Sequence, residues 1–171
     1  MAPTQAVLVS APDEAVSSLI APLRDRWSTR TATTPAETKT SLDERVAVVI
    51  IDPAVESLSI DDLATMINDR VPDAQILQFG QSNGPSAGTA DAVLTRGADE
   101  ETLCSTVDRL QRRARYKRLL SRFYAKSRSR GEQPPEEQTD EGALKIADLK
   151  SELDEVAAEL DDEDLFDAAL E

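Results

Sequence analysis

The sequence predicts an α/β protein, an open and doubly wound parallel sheet of five strands followed by an α-helical extension able to form a hairpin or coiled coil. Three observations carry this. "VAVVII" (46–51) is an unbroken run of apolar, mostly β-branched residues, the pattern of a strand buried on both faces of a parallel sheet. Up to about residue 100, short strand-like runs alternate with segments of helical periodicity across short connections. Beyond that point only helical periodicity remains. It ends in Ile146, Leu149, Leu153, Val156 and Leu160, spaced three and four apart as a heptad seam.

The elements follow in order. "QAVLVS" (5–10) is a short β-branched apolar run and reads as the first strand. In "APDEAVSSLIAPLRDRW" the apolar residues Val16, Leu19, Ile20 and Leu23 recur at helical spacing, with Asp13 as the expected N-cap. "STRTATT" (28–34) is a Thr-rich edge strand, and "PAETKTSLDER" a short helix with Pro in its first turn. After the central strand at 46–51, "SIDDLATMINDRV" (59–71) places Ile60, Leu63 and Ile67 on one helical face behind Ser59 as cap. "AQILQF" (74–79) and "DAVLTR" (91–96) are two further strands. Between them "GQSNGPSAGTA" (80–90) holds three glycines, a proline and no apolar stripe, so a loop is expected where a helix would complete the pattern. From Asp99 a long helix carries Leu103, Val107, Leu110 and Ala114 on one stripe, continued with a drift by Leu119, Leu120 and Phe123. "GEQPPEEQTDEG" (131–142) is a flexible, hydrophilic break, and a last helix is expected over 143–170.

The formal charge of the 171 residues is -14, and only five of the 19 basic residues are Lys. Acidic excess with Arg favoured over Lys points to a protein kept soluble in concentrated salt, hence to an extremely halophilic source. The charge falls in three blocks: net -9 over 1–104, net +9 over 105–130 and net -14 over 131–171. Two pieces are expected, a sheet domain at 1–104 and a helical module at 105–171. A lone helix with an apolar stripe is unstable in water, so the basic and acidic helices should pair, within one chain or between two. Apolar residues would supply the stability and opposite charges the register.

The chain has no histidine and a single cysteine, Cys104. Ser/His and Cys/His catalysis, internal disulfides and most zinc sites are thereby excluded. Cys104 sits in an apolar helical pattern and reads as a buried small hydrophobe. "MAPTQAVLVSAP" lacks a basic leader and a long apolar run, and no later stretch approaches a membrane span, so a cytoplasmic protein that leaves membranes alone is expected.

Asp52 is the residue that invites chemistry: a single carboxylate closing "VVIID" at the end of the central strand. That motif, within a sheet of this order, resembles the receiver domain of response regulators, which has a flavodoxin-like fold. "TVDRLQRRARYKRLL" (106–120) followed by "LKSELDEVAAELDD" (149–162) resembles the HalX domain, a small helical module attached to receivers in haloarchaea. The resemblance implies a phosphoacceptor Asp, an acidic pair holding Mg²⁺, and a hydroxyl and a Lys contacting phosphoryl oxygens, because an acyl phosphate beside a carboxylate forms only where its charge is neutralised.

Residue by residue, Asp52 stands at the phosphoacceptor position, but Ala11 and Pro12 occupy the acidic pair. Asp13 and Glu14, one or two positions late, are the candidate metal ligands. The fourth strand ends at Phe79-Gly80 without a hydroxyl, Ser82 being two positions late. Arg96-Gly97 replaces Lys-Pro, leaving Arg96 as the candidate phosphoryl contact. These departures imply a pseudo-receiver that works by protein–protein interaction and is no enzyme, with no cofactor; Mg²⁺ has a place only if Asp52 is phosphorylated. A phosphorylatable regulator served by a sensor kinase is the first alternative. The second is a transcriptional regulator that binds DNA through the basic run, where Arg109, Arg112, Arg113, Arg115, Lys117, Arg118 and Arg122 are candidate contacts. High salt weakens affinity of that kind.

Overall fold

The computed structural model describes residues 5–54, 59–80 and 90–170. The chain divides into two compact units, 1–111 and 112–171, with the division falling inside one long helix.

The first unit contains β1 (Ala6–Ser10), α1 (Asp13–Arg24), β2 (Ser28–Ala32), α2 (Pro35–Ser41), β3 (Val46–Ile51), α3 (Ile60–Arg70), β4 (Gln75–Phe79), β5 (Ala92–Leu94) and the start of α4 (Glu100–Glu132). All five strands are parallel, in the order β2-β1-β3-β4-β5, which is the flavodoxin-like topology expected from the sequence. The Thr-rich β2 lies at an edge and the apolar β3 at the centre, as their compositions require. Every residue of β1 and β3 is buried. Alternation along β3 serves two layers: Val49 and Ile51 join Leu63, Ala64 and Ile67 of α3 in one core, while Val48 and Ile50 face the opposite layer. Ile20 and Leu23 of α1 and Leu103, Val107 and Leu110 of α4 are also buried. Cys104 is buried too, its thiol donating to the Pro22 carbonyl at 3.6 Å.

Local chemistry explains most helix starts. Ser59 Oγ accepts from the Asp62 amide at 3.1 Å and Thr34 Oγ1 from the Glu37 amide at 3.2 Å. Glu37 returns the contact by accepting from the amide and hydroxyl of Thr33, which hold its carboxyl below the usual range. The expected Asp13 cap is not formed. The Pro12 carbonyl already accepts from the Ala15 and Val16 amides, so Pro12 is the N-cap and Asp13 lies in the first turn.

The second unit contains the rest of α4, a 3₁₀ turn at Pro135–Glu137, α5 (Asp140–Ala158) and α6 (Asp162–Leu170). Leu119 packs with Leu153, Val156 and Leu160, flanked by Tyr116, Phe123 and Leu149, so the seam closes within one chain. The single helix expected over 143–170 is two helices. Asp161 ends the first arrangement and starts the second, its side chain accepting from the Asp164 amide at 2.8 Å and its carbonyl from the Leu165 amide at 3.0 Å. The helix start also moves forward, to Asp140, because Thr139 caps it through the Gly142 amide. The Gly-rich loop expected between β4 and β5 lies, from 81 to 89, outside the described residues.

Candidate functional site

The site lies where the carboxyl ends of β1, β3, β4 and β5 come together. Register puts Ser10 beside Ile51, Ile51 beside Gln78, and Phe79 beside Leu94, so the residues that follow these strands gather at one edge. The order of connection reverses between β1 and β3, the place where open α/β sheets form a crevice. The Asp52 amide continues the ladder by donating to the Ser10 carbonyl at 2.9 Å, which fixes its side chain over this edge.

The Asp52 side chain is only 7% exposed, and its Oδ1 is engaged twice. It accepts from the Ala54 amide at 2.9 Å and from Arg96 Nη2 at 2.6 Å. The guanidinium therefore meets the carboxylate itself. Its own side chain is 60% exposed, so the pair has a buried anion and a cation in contact with water. The turn carrying Arg96 from β5 toward α4 depends on Gly97, whose φ of 153° is one that other residues rarely adopt.

Asp13 and Glu14 are both exposed in the first turn of α1. Among the described residues no three His, Cys, Asp or Glu side chains converge closely enough to hold a metal ion, so Asp13, Glu14 and Asp52 do not make such a set. The donors present do not fit Mg²⁺ in the manner a receiver uses it. Next to the ion pair lies a cleft of about 460 Å³ between α1 and the β5–α4 corner, bordered by Leu19, Phe79 and Leu103 as well as Asp52 and Arg96. Nothing in the periodicity of the sequence announced it, because it depends on how α1 and the corner approach each other.

The basic candidates on α4 separate by position. Arg109, Arg112, Arg115 and Arg122 are exposed, while Lys117 and Arg118 are half-buried. Arg112 approaches Glu159 at 3.9 Å. Arg113 is no surface contact: its side chain is 4% exposed and pairs with Asp164, itself 3% exposed, at 3.5 Å, and with Asp167 at 4.0 Å. It falls three residues after Leu110 and three before Tyr116, on the interior side of the helix, and α6 brings the carboxylates to it. The only signal in the sequence was the acidic run "DDEDLFD" opposite an Arg on an apolar stripe.

No family model matches the chain, and no curated protein matches it. Solved structures do. The signal receiver domain of a LuxO repressor protein from Vibrio parahaemolyticus matches with a TM-score of 0.58 at 14% identity, over 68% of this chain and 96% of that one. The response regulator TrrA from Thermotoga maritima, in complex with Mg²⁺-BeF, matches with a TM-score of 0.54 at 20% identity, over 62% and 98%. A response regulator from Burkholderia pseudomallei with a phosphorylated aspartic acid, calcium ion and citrate matches at 0.52 and 24%, over 59% and 65%. The first unit therefore has the receiver fold.

Proposed function

We propose that the chain is a response-regulator-like signalling protein whose receiver is degenerate, acting through protein contacts without efficient phosphorylation. The observation that carries this is the Asp52–Arg96 pair: the carboxylate that would attack phosphorus is buried and bonded to a cation at 2.6 Å. A nucleophile in that state has its charge already neutralised, and an incoming phosphoryl group would have to displace the guanidinium. With Ala11 and Pro12 in place of an acidic pair, no set of metal ligands gathers at the site among the described residues. The receiver unit serves as a docking platform, and the HalX-type helical module as the contact for a partner or a second copy. The acidic, Lys-poor composition fits a haloarchaeal cytoplasm.

The test is incubation with Mg²⁺ and acetyl phosphate in high salt, read by intact mass, with Asp52→Ala as control. No phosphoryl adduct is expected. An added phosphoryl mass that disappears in Asp52→Ala would establish a working phosphoacceptor and end this reading.

A further inference from the structure

The cleft beside the ion pair has apolar walls and a cation that the ion pair does not use up. Arg96 donates to Asp52 through Nη2 alone, and among the described residues it has no other partner. A guanidinium carries five N–H donors in a planar fork, so most of its capacity to bind an oxyanion remains. Asp52, held from behind by the Ala54 amide, orients that fork, and an oriented donor loses less freedom on binding than a flexible one. Leu19, Phe79 and Leu103 give the cleft apolar walls, and about 460 Å³ lies within the usual range for small-molecule sites.

We propose that this cleft binds a small organic monoanion, a carboxylate on a compact apolar body, with the carboxylate on Arg96 and the body against Leu19, Phe79 and Leu103. The charges decide for one negative charge over two. Glu100 borders the same cleft, so a dianion meets repulsion from a near neighbour that one guanidinium, already shared with Asp52, does not offset. A monoanion gains instead from burying its apolar part, which salt does not screen. The inference rests on Asp52 remaining unphosphorylated, because a phosphoryl group there would take the same Arg96 donors.

The experiment is calorimetric titration of the full chain in about 1 M salt with 3-phenylpropionate, its neutral amide and the corresponding amine. The acid is expected to bind one per chain, the amide about tenfold more weakly and the amine more weakly still. Arg96→Gln should bring the acid down to the affinity of the amide. Ser18→Trp, on the exposed rim of the cleft, should abolish binding of the acid without moving the unfolding midpoint. Equal affinity for acid and amide, tighter binding of the amine, no heat up to about 10 mM acid, or an unaffected Ser18→Trp variant would each overturn the proposal. Intact mass after acetyl phosphate treatment keeps the two readings apart. Acid binding together with an Asp52 adduct defeats only the pseudo-receiver, and no binding with no adduct defeats only the ligand.

Discussion

At the scale of the residue, Asp52 and Arg96 are unequal partners, and the inequality is measurable. Removing Arg96 leaves a carboxylate that is almost wholly buried without its counter-ion, whereas removing the charge of Asp52 leaves a guanidinium that water already reaches. Arg96→Ala is therefore expected to cost about 2 to 3 kcal/mol of stability and Asp52→Asn less than about 1.5 kcal/mol. Urea unfolding of the two variants checks this, and equal losses would mean that the carboxylate is better solvated than its burial implies. Arg96 meets Asp52 through one guanidinium nitrogen, Nη2, while most of its side chain stays in contact with water.

At the scale of the element, α6 is the part of the helical module that periodicity alone describes worst. It is short, strongly acidic and separated from α5 by the Asp161 cap, so its attachment depends on particular contacts. The buried Arg113–Asp164 pair is the chief of these, supported by Ala168, which is also buried, and Leu165. Breaking a pair from which water is excluded strands a charge, and Asp164→Ala should lose about 3 to 5 kcal/mol from the second unit. Asp167, half exposed and 4.0 Å from the same Arg, should lose less than about 1 kcal/mol when replaced by Ala. Helix content followed by circular dichroism through thermal unfolding separates the two variants. If they shifted the midpoint alike, Asp164 would not be the anchor. A neutral Leu or Met pair in place of Arg113 and Asp164 could be as stable, so the charges serve to set how α6 seats more than to hold it.

At the scale of the whole molecule, the dominant quantity is a net charge of -14 and a sequence pI near 4.4. Unscreened, that charge repels itself and opposes the compact state. At about 1 M salt the screening length falls to about 3 Å and the repulsion is confined to near neighbours. The melting temperature is expected to rise as salt is raised from about 0.1 M to about 2 M, while the buried Arg113–Asp164 pair, shielded from ions, responds little. A midpoint that is flat or falls across that range would contradict a chain adapted to concentrated salt.

The sheet, its edge and its centre were legible in the residues alone, because burial on both faces, on one face or on neither writes a different pattern into each strand, as "VAVVII" and "STRTATT" show. Ala11, Pro12, Gly80 and Arg96 were likewise legible by position at the strand ends, as residues that differ from those the receiver resemblance implies. Where groups far apart in the chain meet was settled by the packing of the folded chain. That Arg96 closes on Asp52, that Arg113 turns inward to Asp164, and that α1 leaves a cleft against the β5–α4 corner are all consequences of distance in space. Periodicity encodes which face of an element is buried, but not which partner it meets there, and a charged residue on an apolar stripe is legible only once its counter-ion has been placed.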